Sequence, residues 1–318
     1  MFRNLVTKEL AHRYAASAVR FVNDDELVTG AVDGSLTVWK LGEADLSPIQ
    51  DLHTTKTDSA TTHDGVGAVV SMDICVAGSL IVISTLDSGL QVMPMDGSAQ
   101  TQKLLPAHNR QRLLRALFNR AHPNEIFVST SSGSAVRYQV PSGNDAPAEA
   151  EVLFQGSKSL ACAMDISVDG TYVGLGHSSG HCEVMSVATR ELKFQHKFTH
   201  RVTALGFLPW DTDLLLVGCS DCRVYLFDVL GGELMHVFGG HTSQIQALIP
   251  NPAGQYFSTA DITGKLRIWD VESRECAHQW DFGSPILDLA HSSDGTKLAV
   301  TDAAGGVHIC LVATPITK

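Results

Sequence analysis

The chain has 318 residues, of which 44% are hydrophobic and 18% charged, a globular composition that excludes extended disorder. Its formal net charge of −11 argues against direct binding of nucleic acid, which requires clustered Lys and Arg, and favours partners with basic surfaces. Seven scattered cysteines, no apolar leader and no run of membrane-span length predict a cytoplasmic protein, with a nuclear location also open.

One apolar position recurs along the chain at spacings of 54, 45, 47, 42, 42 and 41 residues. Its seven members are Trp39, Met93, Tyr138, Met185, Phe227, Trp269 and Cys310. A second apolar position lies 21 or 22 residues before the first in six of these units. In three units a hairpin-type glycine lies 15 residues before it, at Gly170, Gly254 and Gly295. Three independent features keep one phase, so the chain contains seven repeats of one structural unit.

In the first unit, four side chains precede or lie within the predicted strands. They are His12, Thr29, Asp33 and Trp39. Their spacing resembles that of WD-repeat proteins, in which such residues hydrogen-bond in series. The resemblance implies that they brace the first blade, because a buried polar chain stabilises a fold when every member is satisfied.

The longer spacings between units predict insertions at about Gly42 to Thr62, Asp96 to Ala107 and Pro141 to Glu151. The last of these, rich in Pro, Gly, Asn and Ala, predicts a mobile loop. We expect properties peculiar to this protein to lie in these insertions.

Two short motifs resemble chemical sites but fall on predicted turns. Residues 176–180 (Gly-His-Ser-Ser-Gly) match a hydrolase nucleophile elbow, yet no helix follows them. Residues 219–222 (Cys-Ser-Asp-Cys) have the spacing of half a zinc site or a redox pair, yet no second pair lies nearby. Both are interpreted as hairpin turns, and the sequence predicts no catalytic residue, metal site or cofactor.

The order of elements is clearest in the sixth unit. Strands are predicted at Ile245 to Ile249, Tyr256 to Thr259 and Lys265 to Trp269, with a fourth near Cys276 to Trp280. Four short strands in about 42 residues are typical of a propeller blade. We therefore predict an all-β, seven-bladed β-propeller with four antiparallel strands per blade, forming a single domain over residues 1–318.

The sixth unit also repeats most of the bracing pattern. His241, Thr259 and Trp269 stand in the same roles, but Thr263 occupies the place at which the family has Asp. The network is therefore expected to be incomplete there, and most other units keep only the apolar positions.

The last unit reaches its third strand at Val307 to Val312 and has no room for a fourth before Lys318. The resemblance implies that Phe2 to Leu10 supplies the missing outer strand of blade 7 and closes the ring, which removes an exposed edge. We expect deletion of residues 1–10 to destabilise the protein.

In WD-repeat proteins the loops before the first strand and between the second and third strands form the usual peptide-binding face. We predict a partner-binding site on this face, made by Tyr14, Arg110, Arg112, Arg201, Gln244 and Phe282. Tyr, Phe and Arg are effective anchors when they lose water. Arg115 would extend the basic spot of Arg110 and Arg112, which suits an acidic peptide or, alternatively, RNA.

Within this family the chain is similar overall to the small WD-repeat subunits of the superkiller and Paf complexes. The similarity rests on length, on the strand Val69 to Ile74 after a His-containing loop, and on the ending at His308 to Cys310. It implies a non-catalytic protein–protein interaction scaffold in exosome-linked RNA decay and transcription elongation. The implied partners are an RNA helicase and a tetratricopeptide-repeat subunit, with no membrane, no direct nucleic acid and no obligate homo-oligomer.

Other classes remain open on the sequence. A structural WD-repeat subunit of another large assembly, such as a ciliary complex, agrees with every residue. A ribosome-associated scaffold is disfavoured by the acidic charge, and a ubiquitin-ligase receptor by Glu272, where such receptors commonly have Arg. A propeller enzyme would require carboxylates or histidines that converge at the central channel.

Overall fold

The fold was analysed in a computed structural model that describes residues 3–8, 11–42, 46–53, 67–77, 79–85, 89–95, 102–104, 112–140, 150–157 and 159–312. For residues 3–8, 49–53 and 102–104 the description covers the backbone alone. These residues form 28 β-strands in seven four-stranded antiparallel sheets, and none of them is helical. The prediction of an all-β, seven-bladed propeller is confirmed.

Each sheet is one blade, and in the lists below the first strand of each blade is the innermost one. The strands of blades 1 to 3 are β2 Ala16–Asn23, β3 Glu26–Ala31, β4 Ser35–Leu41, β5 Leu46–His53, β6 Val69–Cys75, β7 Leu80–Thr85, β8 Gly89–Pro94, β9 Gln102–Leu104, β10 Leu113–Phe118, β11 Glu125–Thr130, β12 Ser134–Gln139 and β13 Ala150–Gln155. Those of blades 4 and 5 are β14 Ala161–Ile166, β15 Tyr172–His177, β16 His181–Ser186, β17 Leu192–Lys197, β18 Val202–Leu208, β19 Asp211–Cys219, β20 Arg223–Asp228 and β21 Glu233–Gly239. Those of blades 6 and 7 are β22 Ile245–Pro250, β23 Tyr256–Asp261, β24 Lys265–Asp270, β25 Cys276–Asp281, β26 Ile286–His291, β27 Lys297–Asp302, β28 Val307–Leu311 and β1 Arg3–Lys8.

The ring closes through the N-terminal strand. β1 pairs antiparallel with β28, so the sheet order of blade 7 is β1, β28, β27, β26. The pairing runs from Arg3 opposite Leu311 to Lys8 opposite Val307, with one irregularity between Asn4 and Val6. Closure by the N-terminal strand, as predicted, leaves β28 paired on both sides.

The recurring apolar position explains why the blades stack. All seven of its residues lie on the third strand of a blade and are buried, from Trp39 in blade 1 to Cys310 in blade 7. The second apolar position lies on the innermost strand of each unit, as with Met72 and Met164. One face of each sheet therefore packs on the next blade, which removes apolar area from water all round the ring.

The insertions need one correction. The segment predicted as an insertion at about Gly42 to Thr62 contains the outer strand β5, and the one at Asp96 to Ala107 contains β9. An outer strand has one paired edge and mostly exposed side chains, so its sequence carries little apolar periodicity. Residues 54–66, 96–101, 105–111 and 141–149, which include most of the predicted loop at 141–151, lie outside the described residues.

Candidate partner-binding face

The propeller has two faces, which we call top and bottom. The top face is made by the loops before the innermost strands and the turns between the second and third strands of each blade. The bottom face is made by the other two sets of turns. Five of the six residues predicted to bind a partner belong to segments of the top face, and Arg110 lies outside the described residues.

One backbone hydrogen bond repeats around the top face. The residue just before the innermost strand accepts, through its carbonyl, an N–H from the turn between the second and third strands, at 2.9–3.2 Å. The acceptor and donor pairs are Ala15 and Val32, Arg112 and Ser131, Leu160 and Ser178, Arg201 and Ser220, Gln244 and Ile262, and Pro285 and Ala303. The bond holds the loop against the turn. The side chains of the acceptor residues therefore project from equivalent places in these blades.

Three of the predicted residues occupy this equivalent position. Arg112 and Arg201 are exposed, and Gln244 is half-buried. In Arg112 and Arg201 the backbone N–H also donates to a serine hydroxyl of the same turn, at 3.1 and 3.2 Å. A rigid backbone beneath exposed guanidinium groups favours binding because less conformational freedom is lost on association.

Tyr14 and Phe282 differ in how freely they are presented. Tyr14 is 47% exposed, and the guanidinium carbon of Arg13 lies 5.6 Å from the centre of its ring. Phe282 is half-buried, with its ring centre 4.6 Å from that of His308. Tyr14 is thus available as an anchor, whereas Phe282 also contributes to packing between blades 6 and 7.

The sequence analysis missed three apolar residues of this face. Val32, Leu160 and Ile262 are exposed and belong to the same set of hydrogen-bonded pairs as Arg112 and Arg201. Their places in the repeat could have identified them, since Val32 and Ile262 begin the turn between the second and third strands and Leu160 directly precedes an innermost strand. Together with Tyr14 they give the top face apolar contact area beside its basic groups.

Arg115 does not belong to the basic spot predicted with Arg112. It lies two residues into β10 and lines the central channel instead of the face. Successive side chains of a strand point to opposite sides, so Arg115 points away from the blade core that Ala116 enters, and the register irregularity between Leu113 and Arg115 lets Leu113 enter that core as well. Of the three arginines in the predicted basic spot, Arg112 is therefore the one that the described part of the chain places on the top face.

The bracing residues of blade 1 form a hydrogen-bonded chain. Thr29 Oγ1 accepts from Trp39 Nε1 at 2.7 Å and lies 2.6 Å from His12 Nε2. On the other side of the imidazole ring, Nδ1 lies 3.3 Å from Ser35 Oγ, and Ser35 donates to Asp33 at 2.6 Å. Ser35 thus links His12 to Asp33.

Blade 6 has a complete chain, because Asp261 supplies the carboxylate that position 263 lacks. Trp269 Nε1 donates to Thr259 Oγ1 at 2.7 Å, and His241 Nε2 lies 2.7 Å from the same oxygen. His241 Nδ1 lies 2.8 Å from Asp261 Oδ2. The expectation of an incomplete network overlooked that a carboxylate at the end of β23 reaches the same imidazole as one in the following turn.

The environment of this pair sets its protonation. Burial alone would raise the pKa of Asp261, but hydrogen bonds from Thr263, His241 and the backbone lower it overall. Burial lowers the pKa of His241 despite the opposing effect of Asp261. The neutral imidazole therefore donates from Nδ1 to a charged Asp261 and accepts at Nε2 from Thr259, an assignment made from the hydrogen-bond network.

Two other blades have acid–histidine contacts at the same level. In blade 7, His308 Nε2 lies 2.9 Å from Asp302 Oδ2, and the other oxygen of Asp302 accepts the N–H groups of Ala304 and Gly306 at 2.8 Å. In blade 4, His177 Nε2 lies 3.1 Å from Glu183 Oε2, a close electrostatic contact without hydrogen-bond alignment. Polar bracing is thus built differently in different blades.

The two chemical motifs lie on turns, as their phase predicted. Residues 176–180 join β15 to β16, and a Cβ on Gly180, whose φ is 88°, would lie 2.6 Å from the His200 carbonyl oxygen. Residues 219–222 join β19 to β20, with the Cys219 thiol free and buried. Within the described part of the chain, no group of three His, Cys, Asp or Glu residues is placed to hold a metal ion, and no helix is suited to cross a membrane.

A protein-family comparison identifies one repeat directly. The WD40 family model, described as WD domain, G-beta repeat, matches residues 232–270. This segment spans the outer strand of blade 5 and the first three strands of blade 6. The WD40 propeller domain of Doa1 has the same fold, with a TM-score of 0.77 over 98% of this chain and 97% of that one, at 12% sequence identity. The chain is therefore a β-propeller that contains a WD40 repeat at residues 232–270.

Two curated proteins show the similarity at the level of sequence. WD repeat-containing protein 55 of Arabidopsis thaliana is 26% identical over 162 residues, which cover 48% of this chain and 45% of that protein. Protein groucho of Drosophila melanogaster is 21% identical over 229 residues, 67% of this chain and 30% of that protein. The chain thus spans less than half the length of these relatives.

Proposed function

We propose that the chain is a non-catalytic scaffold that binds segments of other proteins on its top face. The observation that carries this proposal is the repeated backbone bond, which holds Arg112, Leu160 and Arg201 in equivalent, exposed positions on a rigid ring. Exposed arginine beside apolar and aromatic groups is the composition of interface hot spots. The predicted preference is for an extended peptide with apolar and acidic side chains.

The complex that we propose for this scaffold is one of RNA decay and transcription elongation. Its support is the overall similarity to the small WD-repeat subunits of the superkiller and Paf complexes. The partners proposed on this basis are an RNA helicase and a tetratricopeptide-repeat subunit in the cytoplasm, with a further role in the nucleus. The scaffold itself performs no RNA chemistry.

Affinity purification of the tagged protein from its native cells, at moderate salt and with mass spectrometry, tests this proposal. Recovery of the helicase and tetratricopeptide subunits, or of elongation-complex subunits, is the expected result. Recovery of axonemal or ribosomal proteins in their place would overturn the proposed complex.

The proposed face is tested separately with charge-reversal variants. The double change Arg112→Glu with Arg201→Glu should abolish partner recovery, while Arg120→Glu on the bottom face should leave it unchanged. Equal recovery by both variants would show that partners bind elsewhere on the ring.

A further inference from the structure

The innermost strands surround a central channel that charged side chains divide into two cavities. The lower chamber has a volume of about 490 Å³ and opens at the bottom face, where Val76, Val168 and Pro209 form part of its mouth. The upper chamber has a volume of about 270 Å³ and lies toward the top face. Arg20, Arg115 and Asp288 line both cavities and therefore form the layer between them.

On one side of this layer, the charged groups pair with one another. Arg20 lies between two carboxylates, with Nη1 2.7 Å from Asp288 Oδ2 and Nε 3.4 Å from Asp73 Oδ1. Both carboxylates also accept backbone N–H groups of the next blade, from Val19 at 3.1 Å and Phe118 at 2.9 Å. These acids therefore have a structural role, although they converge at the channel as those of an enzyme would.

Arg115 is different. Among the described residues, no carboxylate oxygen lies within 4.0 Å of its guanidinium group. Burial lowers the pKa of Arg115, while the more distant charges of Asp288 and Asp165 partly oppose this effect. The side chain of Arg115 is half-buried, and a charged group that is partly withdrawn from water without a close counter-ion destabilises the fold, an effect that a bound anion would offset.

Over the described lining of the lower chamber the charges balance, with the three arginines Arg20, Arg115 and Arg120 against the three carboxylates of Asp73, Asp165 and Asp288. Arg120 at the mouth also has no described carboxylate within 4.0 Å, and Asp165 is the one acid among the described lining residues outside the Arg20 pairs. Asp165 is partly occupied, since its Oδ2 accepts the N–H of Phe207 at 2.8 Å. Because the lining as a whole is neutral, the guanidinium of Arg115, which has no close acid, suits a singly charged anion better than a phosphate dianion.

The walls of the chamber suit an apolar body. They include Leu117, Met164, Leu205, Phe207, Leu248 and Pro250. A volume of about 490 Å³ lies within the range of roughly 300–1,000 Å³ typical of small-molecule sites, which are mostly apolar with a few fixed polar groups.

We propose that the lower chamber binds a small organic monocarboxylate with an apolar body. The carboxylate pairs with the guanidinium of Arg115, whose planar fork matches two carboxylate oxygens. The apolar body packs on Met164, Phe207 and Leu248, and enters from the bottom face. This site is separate from the proposed partner-binding face.

Isothermal titration calorimetry with 3-phenylpropanoate tests the proposal, with 3-phenylpropan-1-ol and L-phenylalanine as matched probes. The carboxylate should bind at least about tenfold more tightly than the alcohol, which lacks the charge, and than the amino acid, which adds an ammonium group. Arg115→Met should weaken binding of the carboxylate at least about tenfold, with Arg115→Lys intermediate. Arg112→Met, on the top face, is the matched control and should change nothing.

A second pair of variants tests whether the ligand enters through the bottom face, without altering the layer of Arg20, Arg115 and Asp288. Val168 is 39% exposed at the mouth, so Val168→Glu should weaken binding by repulsion and Val168→Lys should not. Equal affinity for the carboxylate and the alcohol would overturn the proposal, as would undiminished binding by folded Arg115→Met. Tighter binding of L-phenylalanine would also overturn it. Recovery of protein partners is measured separately, so the two proposals fail independently.

Discussion

At the level of single residues, one hydroxyl group joins two strands and a loop in blade 6. Thr259 Oγ1 contacts both His241 and Trp269, and all three side chains are buried. The same arrangement in blade 1 uses Thr29, so two blades that do not adjoin share one hydrogen-bonding arrangement. The network stabilises the fold only when each of its polar groups has a partner, because no water can replace a partner lost in the interior.

Replacement of this hydroxyl should therefore be costly. Thr259→Val keeps the side-chain shape but leaves Trp269 Nε1 and His241 Nε2 unpaired, and the free energy of unfolding should fall by about 1–3 kcal/mol. Urea denaturation followed by fluorescence measures the change. Thr199→Val, at an exposed loop, is the control and should stay within about 0.5 kcal/mol of the parent protein. Equal effects of the two changes would contradict the role of the network.

A second residue makes stability depend on pH. Burial lowers the pKa of His291 to about 4 from 6.5, and Nε2 lies 3.0 Å from Ser258 Oγ. Between these pH values the unfolded chain binds a proton that the folded protein does not. Stability should therefore be intact above pH 6.5 and fall progressively toward pH 4, by about 3 kcal/mol.

His291→Gln should flatten this pH dependence, since an amide can occupy the site without titrating. Urea midpoints between pH 4 and 8 provide the measurement. His200→Gln, in an exposed loop, should keep the slope of the parent protein. Superimposable pH profiles of the parent and His291→Gln would contradict the assignment.

At the level of elements, the sequence predicted inner strands better than outer ones. In blade 6 the four predicted strands begin at the observed residues and end one or two residues early. Inner strands contact a neighbouring blade, so their apolar residues recur with the repeat. Outer strands such as β5 and β9 lack this constraint, and they were concealed in the predicted insertions.

Strand β1 should be essential to the ring. Deletion of residues 1–10 removes the partner of β28 and exposes a row of backbone groups at a sheet edge. We expect a lower melting temperature and faster hydrogen exchange at Val307–Leu311. A synthetic peptide of residues 1–10 should partly restore both properties. An unchanged melting temperature would refute the closure argument.

At the level of the whole molecule, ion pairs connect blades that are distant in sequence. Arg20 of blade 1 pairs with Asp288 of blade 7 and Asp73 of blade 2. Asp288 lies 269 residues from Val19, whose N–H it accepts. The contacts therefore cross the closure point of the ring and fix three innermost strands together.

Removal of the shared cation should destabilise the entire ring. Arg20→Met leaves two carboxylates facing each other with little access to water, and the free energy of unfolding should fall by about 2–4 kcal/mol. Lys193→Met breaks an exposed pair with Glu191 and should cost much less, because water screens such a pair. Chemical denaturation compares the two. A loss for Arg20→Met no larger than for Lys193→Met would show that the channel pairs are effectively solvated.

The candidate site was predictable only in part. The repeat phase placed Arg112, Arg201 and Gln244 on one face, because the distance from a strand to its preceding loop is constant in every unit. The same reasoning put Arg115 beside Arg112, although strand geometry turns it into the channel. Phase gives a residue's position along the repeat, whereas the direction of its side chain depends on the registered sheet.

The resemblance to WD-repeat proteins implied the closing role of the N-terminus. The sequence by itself determined the number of blades, their order and the buried position on each third strand. These features follow from apolar spacing, which is local and repeats along the chain. Only the tertiary structure decided that Asp261 replaces the acid missing at position 263, and that Arg20, Asp73 and Asp288 meet in the channel while Arg115 has no close acid. The physical reason is that polar pairing depends on distances of a few ångströms between strands far apart in sequence, and no local pattern encodes such distances.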